Sequence, residues 1–252
     1  MTTETSTPTK KRRFRKRWII LVMLVLSMGV CSIPEMRHKN SGVSESTGSV
    51  RDGKLKNGYL IPYRGNNFKY FSPFSYYILN NAYVHSDVYA TVMDAYKVCE
   101  TTCPEREFVL MECTRKHGGR MIFHWTHQNG MSVDFMTPKI RGDDINVWPN
   151  KAGLFHYLFS FDADGKFLLG SKTHIDFETM AKHLVALDDA ATQHGLRIRK
   201  ILFHTDMHDN LFSTPAGQVL AQRDIRFVPR LSNLVNNFHD DHYHVDFEFV
   251  AK

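Results

Sequence analysis

The chain has 252 residues, 42% apolar and 23% charged, enough for one well-packed domain, and this composition excludes a disordered or fibrous polymer. Its formal charge of +6 resides in residues 1–17, where Lys10, Lys11, Arg12, Arg13, Arg15, Lys16 and Arg17 face only Glu4; the other 235 residues hold 25 basic and 25 acidic side chains. A neutral body removes the main electrostatic basis for binding DNA or RNA, and the 14 histidines point instead to metal or acid–base chemistry.

The basic segment 1–17 runs into sixteen uncharged residues, 18–33, of the kind found in a signal peptide or signal anchor. Cations on the N-terminal side keep that end in the cytoplasm and send the rest of the chain across the inner membrane. Sixteen residues are longer than most signal-peptide cores and shorter than the roughly twenty that span a bilayer comfortably, so cleavage stays open. Ser27 and Gly29 offer small residues for a peptidase, whereas bulky Val30 before Cys31 disfavours lipid attachment. Residues 34–56 are rich in Ser, Gly and charge without apolar periodicity, and they read as a flexible linker. The folded domain is expected over 57–252.

Within that domain, Tyr63–Pro73 is rich in aromatic residues and suits either a groove wall or a core strand. Ser86 and Asp87 can cap a helix that turns Val88, Tyr89, Val92, Met93 and Tyr96 to one side. Strands are expected at Glu107–Cys113 and Arg120–His124, joined through Gly118 and Gly119, and again at Ser132–Phe135 after the Asn129-Gly130 turn. Leu154–Phe161 and Lys166–Leu169 read as a hairpin around Asp162–Gly165. That turn resembles the start of a calcium loop, but Thr173 stands where the twelfth-position Glu would be. Asp176 caps a second helix with apolar Phe177, Met180, Ala181, Leu184 and Leu187, and Gly195 ends it. Lys200–His204 and His244–Val250 complete the strands. Helices and strands mix without a repeating βαβ order, which predicts an α+β fold with a small antiparallel sheet flanked by helices. Of Cys99, Cys103 and Cys113, one pair can close a disulfide, which pair being open; no second Cys pair makes a thiolate zinc site.

Two segments carry the chemistry. In the first, His124-Trp-Thr-His127-Gln-Asn-Gly-Met-Ser-Val-Asp134, the turn lets His127 face Asp134. In the second, His239-Asp-Asp-His242-Tyr-His244, the last two histidines are two apart on an extended segment and share a face. Two imidazoles and a carboxylate with an open fourth position form a catalytic zinc site, and His127, Asp134 and His244 would supply it. His242 would then stand near a metal-bound water. His204-Thr-Asp-Met-His208 is expected to line a cleft or stabilise a loop. No GxSxG, P-loop or GxGxxG is present.

The two segments together resemble the penicillin-insensitive murein endopeptidases, part of the wider metallopeptidase group of lysostaphin, D-alanyl-D-alanine peptidases and the hedgehog domain. The resemblance covers about residues 57–252, and its specific part is these two motifs. It implies a hedgehog/D-Ala-D-Ala metallopeptidase-like fold, Zn2+ on His127, Asp134 and His244, and a site lined by His124, His239 and His242. His124 is a further or outer ligand in this reading. Where the family commonly has Asp two residues before the ligand, this chain has Ser132; Asp176 and His183 are guesses for further metal residues. The implied function is zinc-dependent hydrolysis of peptidoglycan (murein) peptide cross-links in the periplasm, by a protein anchored in the inner membrane or released from it. His242 is the first choice for the water proton or the oxyanion, and His239 the second.

Three alternatives remain: a D-alanyl-D-alanine carboxypeptidase or dipeptidase of the same group, a zinc-containing binding module without catalysis, and a non-haem iron oxygenase. The oxygenase is disfavoured because six residues, not one, separate His127 from Asp134.

Overall fold

The computed structural model describes residues 9–121, 124–169 and 172–250 and divides the chain into two compact units, 1–38 and 39–252. The first unit contains one helix, α1 (Thr9–Arg37), which includes the sixteen uncharged residues. Among the described residues no helix is long and apolar enough to cross a membrane.

The second unit begins earlier than Asn57. Residues expected to form part of a linker build a hairpin of β1 (Glu45–Ser49) and β2 (Asp52–Lys56). Both strands are almost wholly polar, so no alternation marks them, yet Val50 and Leu55 are buried and fix the hairpin to the domain. β3 (Tyr59–Leu60), β4 (Phe68–Tyr70) and β5 (Tyr83–Val84) follow. The aromatic stretch enters the core rather than a groove: Phe68, Tyr70 and Phe71 are buried, and Tyr63 packs edge-on against Tyr76.

Helix α2 (Ser86–Thr102) buries Val88, Val92 and Tyr96 as their spacing predicts. Its cap is His85, whose Nδ1 accepts from the Asp87 N–H, rather than Ser86 or Asp87. β6 (Phe108–Leu110) is shorter than expected, and no strand forms at Arg120, Met121 or His124; Ile122 and Phe123 lie outside the described residues. Gly118 and Gly119 are both left-handed and turn the chain away from β6 and onto β2, where the Gly119 N–H meets the Gly53 carbonyl.

β7 (Ser132–Met136) and β8 (Lys139–Ile140) come next. Leu154–Leu158 is 3-10 helix rather than strand, so the expected hairpin is reduced to its turn and the antiparallel bridge of Phe161 with Phe167. There the Asp162 carboxylate accepts the N–H groups of Asp164 and Lys166, which is turn chemistry and not cation binding. β9 (His174–Ile175) leads into α3 (Phe177–Gln193), capped by Asp176 through the Thr179 N–H and followed by left-handed Gly195. β10 (Leu196–Leu202), α4 (His208–Ser213), α5 (Pro215–Leu220), α6 (Asn233–Asn237) and β11 (His242–Phe249) complete the chain.

The architecture is α+β. Its five-stranded sheet has the order β10-β11-β7-β6-β4 and is antiparallel except at one edge, where β4 and β6 run parallel. Because side chains alternate across a strand, β7 and β11 each present two different faces. Val133, Phe135, Tyr243, Val245 and Phe247 are buried on the core side, where Phe135 meets Tyr96 of α2 and His183 of α3. Ser132, Asp134, His242, His244 and Asp246 point to the other side. The antiparallel register sets His244 opposite Asp134 and Asp246 opposite Ser132. The expected disulfide does not form: Cys99, Cys103 and Cys113 are free and buried, and the first two share a hydrogen bond one helical turn apart.

Candidate metal centre

Three ligand-type side chains converge on the polar face of β7 and β11. His127 Nε2 lies 3.1 Å from Asp134 Oδ2 and 3.1 Å from His244 Nδ1, and His244 Nδ1 lies 2.7 Å from Asp134 Oδ1. All three residues are buried. Two ligands of a tetrahedral zinc, each roughly 2.0–2.1 Å from the ion, stand roughly 3.3 Å apart, close to these separations. His124, half-buried, offers a nitrogen in a looser group with His127 and Asp134, whose ligand atoms lie within 4.8 Å of one another. The two groups share His127 and Asp134; the one completed by His244 is tighter and is backed on its outer side.

That backing is Asp246. His244 Nε2 stands 2.7 Å from Asp246 Oδ1, which also accepts from Ser132 Oγ at 2.5 Å. Lys200 Nζ lies 3.0 Å from Asp246 Oδ2, as a charge contact rather than an aligned hydrogen bond. A carboxylate on the far nitrogen of a histidine fixes its tautomer and strengthens it as a ligand. With the Nε2 proton given to Asp246, neutral His244 turns its Nδ1 lone pair toward Asp134 and His127, where only a proton or a cation relieves the convergence of lone pairs. Burial pushes the His244 imidazole down, but Asp246 and Asp134 outweigh it and raise it to about 10. Burial likewise pushes the Asp134 carboxyl up, and the two imidazoles overcome this and hold it well below the usual range. The donor set therefore fits a bound cation.

His127 reaches this position through its backbone. Its φ of +65° is left-handed, uncommon for a residue with a side chain and of the kind that collects at functional sites. His124 packs edge-on against His127, and burial together with the charge of its neighbours pushes its pKa down to about 4, leaving a neutral imidazole.

A second group adjoins the first. Asp241 accepts from His242 Nδ1 at 2.9 Å and from His156 Nδ1 at 2.7 Å. The first of these bonds leaves His242 Nε2 as the basic nitrogen. Burial lowers the His242 pKa, but Asp241 outweighs it and the net direction is upward. His239 stacks on His242 with centroids 4.9 Å apart and donates Nδ1–H to the Val235 carbonyl; burial brings its pKa down to about 3. Lys139, fully buried, donates to the carbonyls of Thr137 and Asp241 and fixes the backbone just before His242.

The structure thus brings His124, His127, Asp134, His239, His242 and His244 into one region. It excludes the two guesses: Asp176 caps α3 and pairs with Arg106, and His183 lies in the apolar core with Nδ1 bonded to the Tyr243 hydroxyl. In the 204–208 segment, His204 meets Asn236, while His208 bonds the Phe203 carbonyl and packs against Phe212 and Phe227, so both hold a loop. Asp246, Asp241 and His156 are additional members. Asp246 continues the two-residue period of His242 and His244, a legible signal; His156, 85 residues from Asp241, has none. No protein-family model and no curated protein sequence matches this chain.

Proposed function

We propose that this chain is a zinc-dependent endopeptidase that hydrolyses peptide cross-links of peptidoglycan, with the fold of the hedgehog/D-Ala-D-Ala metallopeptidase group. The observation that carries this reading is the convergence of His127 Nε2, Asp134 and His244 Nδ1 beside a third imidazole, His242, that is oriented by Asp241 and not engaged in the cluster. A zinc ion on the three ligands would acidify a bound water and polarise the scissile carbonyl. Asp246 keeps His244 Nδ1 turned toward the cluster. Asp241 holds the Nδ1 proton of His242, so His242 Nε2 can take a proton from the nucleophile and return it to the leaving amine. His239, kept neutral by burial, is placed to donate a hydrogen bond only if its ring reorients, since its Nδ1 proton is already committed to Val235. His242 is therefore the acid–base residue of this proposal.

Peptidoglycan as the substrate rests on the resemblance of the two histidine motifs and on the neutral domain, which suits a wall polymer better than a polyphosphate. Export to the periplasm, with the N-terminal segment in or released from the inner membrane, rests on the seven cations before the uncharged run. Metal analysis of the purified protein followed by digestion of muropeptides, with products identified by mass, tests the reading. One zinc per chain and cleavage of cross-linked dimers are expected. Release of terminal D-alanine alone would make it a carboxypeptidase, and intact muropeptides with bound zinc would make it a binding module.

A further inference from the structure

A cleft of about 880 Å³ lies between the β1–β2 hairpin and the loop that carries His127, with Trp125 and Gln128 of that loop in its lining. Arg51 and Lys54 from the hairpin and Arg120 from the loop line it, with Asp52 as the only acid among its lining residues. These three cations make no ion pair or side-chain hydrogen bond among the described residues, and they stand together around one space. Trp125, 70% exposed, faces the same space from between His124 and His127. A large exposed indole and three exposed cations thus stand together at one place, where a ligand could meet both.

The cleft is built rigidly onto the site. The Gln128 N–H, one residue after His127, donates to the Val50 carbonyl, and the Gly119 N–H donates to the Gly53 carbonyl. The approach is closest at two glycines: a Cβ on Gly53 would stand 2.7 Å from Asn129 Cβ, and one on Gly118 would stand 2.3 Å from the Gln128 carbonyl oxygen. A ligand held by the hairpin is therefore held at a fixed offset from His127.

We infer that this cleft is a subsite for the carboxylate-bearing arm of a peptide substrate, with Arg51, Lys54 and Arg120 binding its free carboxylates and Trp125 covering its apolar stem. This rests on the proposed peptidoglycan reading and deepens it. The cations would fix which arm of a cross-link lies on the hairpin side of the metal, so the enzyme would prefer stems whose side carboxylates are free over stems in which they are amidated.

The test is calorimetric titration of the full chain with a synthetic wall stem peptide carrying free side-chain carboxylates, and with its carboxamide analogue, at low and high salt. Tighter binding of the carboxylated peptide by roughly tenfold is expected, reduced by salt. In an Arg51→Gln/Lys54→Gln/Arg120→Gln variant, confirmed folded by circular dichroism, the two peptides should bind alike. Equal binding by the parent, or a preference that survives in the variant, overturns the subsite. Binding is read without turnover, so carboxylate preference in a protein that leaves muropeptides intact would sink the hydrolase reading while the subsite stands. Cleavage of muropeptides with no such preference would do the reverse.

Discussion

His183 and His244 are both buried imidazoles within hydrogen-bonding reach of neighbouring strands, yet they behave oppositely. His183 stacks on Tyr96 and Phe108, bonds only the Tyr243 hydroxyl, and is driven down to about 3 by burial. His244, one residue beyond Tyr243 and hence on the opposite face of β11, is raised to about 10 by Asp246 and Asp134. Burial alone makes a neutral core histidine; burial between carboxylates makes a place for positive charge. One strand carries both environments because its side chains alternate.

The sharpest way to break this contrast is His244→Ala. It should abolish stoichiometric metal and muropeptide turnover together, since two of three ligands hold a metal weakly. Elemental analysis of the purified variant checks the first, and normal metal content would remove His244 from the ligand set. Next in size is His242→Ala, which should keep its metal and lose about 10²–10⁴-fold in turnover, the range for removing an acid–base or charge-stabilising group. Loss of metal equal to that of His244→Ala would make both histidines ligands.

Asp246→Asn should weaken metal affinity by about 10–100-fold while leaving the fold intact, as replacing the partner of a ligating imidazole does. It also tests the electrostatics. In the parent without metal, the folded His244 pKa of about 10 lies above its unfolded value of roughly 6.5. Its contribution to stability is therefore full below about pH 6.5 and is lost as pH rises toward 10. Metal must displace that proton, so affinity in the parent should rise with pH across this window. Asp246→Asn should shrink both slopes; chelated protein melted across pH and competition titrations would read them. The smallest effect is expected from His183→Leu. It should cost about 1–3 kcal/mol by orphaning the buried Tyr243 hydroxyl and leave metal content unchanged. Metal loss in a folded His183→Leu variant would erase the distinction between the two faces.

How much of this could be read in advance follows the same alternation. β7 and β11 were legible because their polar and apolar residues alternate, and the spacing of His242 and His244 already places them on one side. The capped helices α2 and α3 were legible from periodicity, although His85 replaced the expected cap. The β1–β2 hairpin was not, since strands polar on both sides resemble a linker; its anchors, Val50 and Leu55, are two residues without period. Leu154–Leu158 has a strand-like composition and is 3-10 helix, fixed by distant partners such as the bond from His156 to Asp241. Within the site, the motif histidines are local signals. The pairing of Asp241 with His156 is a product of the tertiary fold, which no spacing encodes.

The left-handed backbone at His127 sets two selective pressures against each other. A non-glycine residue held there costs about 1–2 kcal/mol, and here it also brings a buried ring toward a carboxylate and another ring. Glycine would relieve the backbone cost, but it would also open a hole in the buried cluster and take from Asp134 one of the imidazoles that hold its charge. A hunt for heat-resistant variants would thus meet two opposed terms at position 127, and any glycine variant it kept would have discarded an imidazole of the cluster.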